Sequence, residues 1–236
     1  MVSPTTAARV LTRNGYTRMV IVRASITRNE ANRVAWVAAQ CKMPLGCRVY
    51  MDEAHRVGRA AERRWAWSLR GATAELYAAS SAGVPTSFFV AMDNDRLLDW
   101  LITRPPPGKT AVDFLVFLAN FILPRMRSVE AGREWGDQPD ECEIVLDNAR
   151  IHDEMALASV REAGVVVLIL PPYSPDFHSI EDGFSVASSW LRRFSFLDQY
   201  SAWPMPTINS MIERITGEMC CGFVHATMRR YSTYVP

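Results

Sequence analysis

The sequence predicts an α/β domain: a mixed sheet flanked by helices, preceded by a short helical region. Three observations carry this. "EIVL" (143–146) and "VVVLIL" (165–170) are continuous apolar runs, the pattern of strands buried on both faces and so covered by helices on both sides. Between them "HDEMALASVREAG" has helical spacing and ends on Gly164, where a glycine suits the helix stop. Upstream, "TSFFVAMDNDRLLDWLIT" (86–103) reads as two strands about an Asn94-Asp95 turn. The order is hairpin first, then α, β, α, β, α.

The elements follow in turn. "SPTTAARVLTRNG" is a short helix with Ser3 as cap, Pro4 at the first helical position and Gly15 past the end. Ala7, Val10 and Leu11 share its apolar face, leaving Thr5, Thr6, Arg9 and Arg13 elsewhere. In "TRNEANRVAWVAAQ", Thr27 and Glu30 have capping-box spacing, and Ala31, Val34, Ala35 and Ala38 form the apolar stripe of a second helix. Pro44-Leu45-Gly46 breaks the pattern. "CRVYMD" is a short strand ending in Asp52, and "RRWAWSLRG" an arm of a hairpin. "TAVDFLVFLANFILPRM" is a long apolar helix with Thr110 and Asp113 at its start, followed by a polar loop. After the proline-rich "LPPYSPDFHS", a helix runs from about Ile180 to Arg193, and the tail holds one more near "TINSMIERITGEMCCGF".

Composition narrows the setting. No run among the 236 residues approaches a membrane span, and the opening "MVSPTTAARV" lacks the apolar core of a secretory signal. Five irregularly spaced cysteines do not form a disulfide framework, so a reducing, intracellular location is expected. Cys220-Cys221 with His225 reads either as a fragment of a metal site or, better, as two half-buried thiols on a helix. The net charge of +1 hides an asymmetry. Residues 1–50 carry eight basic side chains against Glu30 alone, so they hold +7 and the remainder −6. A basic arm ahead of an acidic body suits a polyanion for the arm and cations for the body; a merely solvated arm is the plainer alternative.

Three acids occupy one kind of position. Asp52 and Asp147 each end an apolar strand, and Glu181 opens a helix just after a third. If the first two strands are neighbours, the carboxylates converge at one edge of the sheet. Such a cluster repels itself unless a cation intervenes, and oxygen-only ligands favour Mg²⁺ or Mn²⁺. Pro171, Pro172 and Pro175 stiffen the loop that delivers Glu181. Asp182 falls about 100° further round the helix and is expected to face away, and Asp176 to brace the turn. Any one of these acids alone would be read as a solvated strand or helix end.

The motifs "YMDEAHR", "RRWAWSLRG", "IVLDNARIH", "LPPYSPDFHSIEDGF" and "WLRR" resemble the DDE transposase domain of the mariner superfamily and its bacterial insertion-sequence relatives, from about Arg48 to Arg193. Thirty-three residues separate Asp147 from Glu181, close to the family's spacing. His178-Ser179 stands where the family usually has Asn-Pro, and Phe177 where it has Leu. The resemblance implies a ribonuclease-H-like fold and a Mg²⁺-dependent (or Mn²⁺-dependent) DNA endonuclease and strand transferase. Asp52, Asp147 and Glu181 would be the catalytic, metal-holding triad, with two ions between them. Asn148, His152 and Asp176 are candidates to support it, His152 equally a packing residue at the strand–helix junction; His55 near Asp52 and His178 near Glu181 either face the metal edge or, more simply, are loop residues.

The implied organisation is a partial helix-turn-helix region and linker over 1–45, a catalytic domain over 46–195 and a helical tail over 196–236. Thr5, Thr6, Arg9, Arg13, Arg18, Arg23 and Arg28 would contact DNA. The chain is expected to begin within the last helix of a second helix-turn-helix unit. The expected partners are transposon terminal inverted repeats and target DNA, bound by a homodimer, with no membrane; in a eukaryotic host the site of action would be the nucleus. A catalytically inactive, DNA-binding relic of such an enzyme is the alternative.

Overall fold

The structure, a computed structural model, describes residues 4–15, 27–40, 48–56, 86–103, 110–130, 143–149, 152, 154–194 and 204–234. Two helices come first, α1 (Pro4–Arg13) and α2 (Glu30–Gln40). The sheet is built from β1 (Arg48–Arg56), β2 (Thr86–Met92), β3 (Leu97–Thr103), β4 (Glu143–Leu146) and β5 (Val166–Ile169), in the spatial order β3-β2-β1-β4-β5. β1, β2 and β3 are antiparallel neighbours; β1, β4 and β5 run parallel. It is a mixed sheet, as expected.

Strand alternation divides the core in two. Tyr50, Ala54, Phe88, Val90 and Val145 point to one face. It is covered by α2, α6 (Ser179–Phe194), α7 (Pro204–Ile212) and α8 (Gly217–Ser232). Val49, Met51, Phe89, Ala91, Ile144 and Leu146 point to the other. That face is covered by α3 (Ala111–Phe117), its π-helical continuation Leu118–Ile122, α4 (Leu123–Glu130) and α5 (Glu154–Glu162). Thr110 and Asp113 form a reciprocal capping box at the start of α3. Gly164, at φ +83°, ends the turn after α5, a conformation that costs a residue with a Cβ. Gly217 is required by contact: a Cβ there would lie 2.3 Å from the Asp95 carbonyl oxygen.

Several expectations need correction. α2 does not bury its alanine stripe: Ala31, Val34, Ala35 and Ala38 are exposed, and Arg33, Val37 and Gln40 are buried instead. Its cap is Asn29, whose Oδ1 accepts from the Asn32 amide at 3.1 Å, in place of Thr27. β1 does not stop at Asp52. It leaves β4 after Tyr50 but stays paired to β2 as far as Arg56. The tail holds two helices, α7 and α8, broken around Ile215, with Thr216 capping the second. Ile208, Met211, Ile212, Cys220, Val224 and Tyr231 from these helices share one core cluster with β1 and α6. The hairpin arm at 63–71 lies outside the described residues. Among the described residues, no helix is long and apolar enough to cross a membrane.

Candidate active site

Asp52 and Asp147 follow a shared stretch of parallel pairing. β1 and β4 pair as Arg48↔Glu143, Val49↔Ile144 and Tyr50↔Val145, and the pairing stops there. Asp52 stands two residues on along β1, and Asp147 directly follows the last residue of β4. Alternation along β1 puts Asp52 on the Tyr50 face, toward α6. Glu181 lies in the first turn of the helix covering that face.

Below them on the same face is a buried ion pair. Arg48 Nε donates to Glu143 Oε2 at 2.7 Å, with both side chains at most 2% exposed. It anchors the strand pair that carries the aspartates. Burial opposes ionisation of the neighbouring Tyr50 and holds its hydroxyl pKa above the usual range, despite the Arg48 charge beside it.

Asp147 is half-exposed, and its Oδ1 accepts from the Ala149 amide at 3.0 Å. His152, buried against Phe114 with ring centroids 4.5 Å apart, reaches back to it. Nδ1 lies 3.0 Å from the Asp147 carbonyl oxygen and 3.2 Å from Oδ1. A carbonyl only accepts, so Nδ1 carries the proton. Nε2 faces Glu53 Oε2 at 3.6 Å, from the opposite face of β1. Burial works against charge on both partners. The hydrogen bond and mutual attraction outweigh it, lowering the Asp147 pKa and raising that of His152. Asp147 is thus held as a carboxylate.

Asp147 and Glu181 line one pocket of about 370 Å³, together with Asn148, His178 and the Pro171–Pro175 loop. Tyr173, at φ +59° and 59% exposed, stands on that loop. A bulky residue in the left-handed region is strained, and such strain gathers at working sites. Asp52 is buried, and His178 Nδ1 lies 3.6 Å from its Oδ2.

The remaining acids are engaged elsewhere. Asp182 forms a two-pronged pair with Arg230 of α8, at 2.9 and 3.0 Å. Asp176 is gripped by Arg33 of α2, at 2.6 and 3.0 Å. The Arg33 guanidinium also lies 3.8 Å over the Phe177 ring and donates to Tyr234 Oη at 2.8 Å. Asp176 therefore fastens the proline loop to α2. Nothing local in the sequence pointed to Arg33, whose partners lie 143 and 201 residues away.

The other candidates are dispersed. Thr5, Thr6, Arg9 and Arg13 are exposed on α1. Arg28 pairs with Glu30 at 2.5 Å. Arg18 and Arg23 lie outside the described residues. His55 bonds Ser87 Oγ at 2.9 Å. Cys220 is buried in the core, which pushes its thiol up to about 12, while Cys221 Sγ lies 3.9 Å from His225 Nε2.

Among the described residues, no three His, Cys, Asp or Glu side chains are drawn together in metal-holding geometry. The donor chemistry nonetheless fits a hard divalent ion. Two carboxylates line one pocket, and a third stands one strand over on the same face.

The family model for DDE superfamily endonucleases matches residues 48–202, and the chain belongs to that family. The fold is similar to that of solved mariner transposase structures. A pre-cleavage Mos1 transpososome matches with a TM-score of 0.71 at 17% identity, over 99% of this chain and 70% of that one. A Mos1 mariner paired-end complex with Mn matches with a TM-score of 0.70 at 18% identity, over 98% and 69%. The Mos1 catalytic domain matches with a TM-score of 0.62 at 14% identity, over 92% and 96%. No curated protein sequence matches the chain.

Proposed function

We propose that the chain is a transposase-type DNA endonuclease and strand transferase whose centre is the triad Asp52, Asp147 and Glu181. The observation that carries this reading is the pocket that Asp147 and Glu181 line together with His178, whose ring also lies 3.6 Å from Asp52 on the neighbouring strand. Family membership and the likeness to mariner transposases support the same chemistry.

The residues divide the work. His152 keeps Asp147 ionised and orients it. The proline loop, fastened through Asp176 to Arg33, sets where Glu181 stands. The pocket beside Asp147 and Glu181 would admit the DNA phosphate, with Asn148 at its edge as a donor. Mg²⁺ or Mn²⁺, when bound by the three carboxylates as a pair of ions, would offset their repulsion and the charge developing on the attacking and leaving oxygens. Water attacks a phosphodiester at the element's end and leaves a 3′-OH; that 3′-OH then attacks a phosphodiester of target DNA. Each displacement exchanges one P–O bond for another, with no covalent enzyme intermediate.

The partners in this reading are terminal inverted repeats and target DNA, approached through the basic amino-terminal arm. A homodimer would hold two ends, as the paired-end assemblies of Mos1 do in name. The setting is intracellular, the nucleus in a eukaryotic host. The test is Mg²⁺-dependent nicking of end-containing duplex by the chain and by Asp147→Asn. Activity lost in the variant, with folding retained, supports the reading. Equal activity removes Asp147 from the centre. An inert unmutated chain that still binds DNA favours the relic.

A further inference from the structure

The chain has four histidines, and three have evident neighbours: His55 meets Ser87, His152 meets Asp147, and His225 lies beside Cys221 on α8. His178 differs. It sits between the Pro175–Phe177 turn and α6, and it is 1% exposed. Its Nδ1 is 3.6 Å from Asp52 Oδ2, beyond hydrogen-bond reach. Its Nε2 is buried and has no hydrogen-bond partner. A buried ring nitrogen without a partner is costly, and with Nε2 enclosed, Nδ1 on the Asp52 side is the nitrogen left to a ligand.

What it adjoins identifies that use. His178 lines the same pocket as Asp147 and Glu181, and its ring is the side chain that touches both this pocket and Asp52. We propose that His178 supplies a nitrogen ligand to the divalent ion held by Asp52, Asp147 and Glu181, an inference that rests on the carboxylate-centre reading above. Two donors bound at roughly 2.1 Å to one octahedral ion stand roughly 3 Å apart. Nδ1 and Oδ2 are 3.6 Å apart, near that separation. Asparagine, usual at this position in the family the sequence resembles, would offer an oxygen instead. The chemical consequence is selectivity. Imidazole nitrogen strengthens binding of transition ions more than of Mg²⁺, so this centre should prefer Mn²⁺ over Mg²⁺ more than an all-oxygen centre does.

The experiment uses the full chain titrated with Mn²⁺ alone. Pulsed electron paramagnetic resonance looks for nitrogen hyperfine modulation, and Mg²⁺ competition gives the affinity ratio. The proposal expects nitrogen modulation in the unmutated chain, its loss in His178→Asn, and a fall of roughly tenfold in the Mn²⁺/Mg²⁺ preference. Mn²⁺ bound without nitrogen modulation, and released in Asp147→Asn, overturns the histidine ligand and leaves the carboxylate centre standing. Modulation that persists in His178→Asn overturns it as well. No Mn²⁺ binding at all overturns both readings. The measurement on the unmutated chain stands whether or not the variant folds.

Discussion

His152 folds back on Asp147, with one ring nitrogen near both the backbone carbonyl and the carboxylate and the other facing Glu53. The pair makes stability depend on pH. His152 titrates higher in the fold than free, so its contribution is complete below the ordinary histidine value near ~6.5 and is lost as pH rises through the raised one. Asp147 titrates lower, so its contribution is present above the ordinary carboxylate value near ~4 and is lost as pH falls through the lowered one. In metal-free protein, His152→Gln should therefore lower Tm most between about pH 4 and 6.5. The gap to the unmutated chain should narrow on raising the pH. A gap that fails to narrow as pH rises above about 6.5 would refute an ionic role.

Glu181 and Asp182 are adjacent acids with different duties. On the proposed triad, Glu181→Gln removes a carboxylate ligand and should lower Mg²⁺-dependent nicking by at least about 10²-fold. Asp182→Asn removes a half-exposed pair with Arg230 and should cost about 1 kcal/mol or less in urea melts. It should leave cleavage nearly unchanged. Reversed results would move the third ligand to Asp182.

Arg33 has no exposed side-chain surface, and its guanidinium stacks on Phe177 while bonding Asp176 and Tyr234. Arg33→Met should destabilise the fold by roughly 2–3 kcal/mol, from the charged hydrogen bonds and the cation–π contact together. Asp176 is partly exposed, so the carboxylate left behind is rehydrated and the loss stays below that of a fully buried orphan. Arg33→Lys should recover only part of it, because an ammonium cannot match the two-pronged geometry. Denaturant midpoints measure both.

On duplex DNA, a basic arm contacting phosphates gives binding that is steeply salt-dependent and weakly selective. Arg9 and Arg13 are exposed, whereas Arg28 is already paired with Glu30. With about four phosphates neutralised, log K against log salt should have a slope of about −4, and Arg9→Ala should lower its magnitude by about 1. Strong preference for one sequence at physiological salt would show that α1 reads bases.

What was legible in the sequence was local. The β2–β3 hairpin, the capping box of α3 and the glycine after α5 each depend on residues a few positions apart. Asp147 was legible as a strand end, because the apolar run of β4 stops just before it; Asp52 was read the same way although β1 continues beyond it. What stayed hidden depended on distant partners. The alanine stripe of α2 predicts the wrong buried face because Asp176, Phe177 and Tyr234 claim the side of Arg33. β1 runs past Asp52 because β2 continues to pair with it. His178 could be read as facing the acids or as a plain loop residue, since a lone histidine in a proline loop has no period to decide what it adjoins.

The clamp on the proline loop also sets an order of assembly. Tyr234 follows Arg33 by 201 residues, just past the end of α8, and Tyr231 of α8 donates to the Phe177 carbonyl. During synthesis the loop therefore cannot be locked until residue 234 has cleared the ribosome. A contact closing so much chain forms late and slowly. The acids of the loop are therefore made well before the residues that fasten them, and the pocket can take its final shape only once the chain through Tyr234 is available.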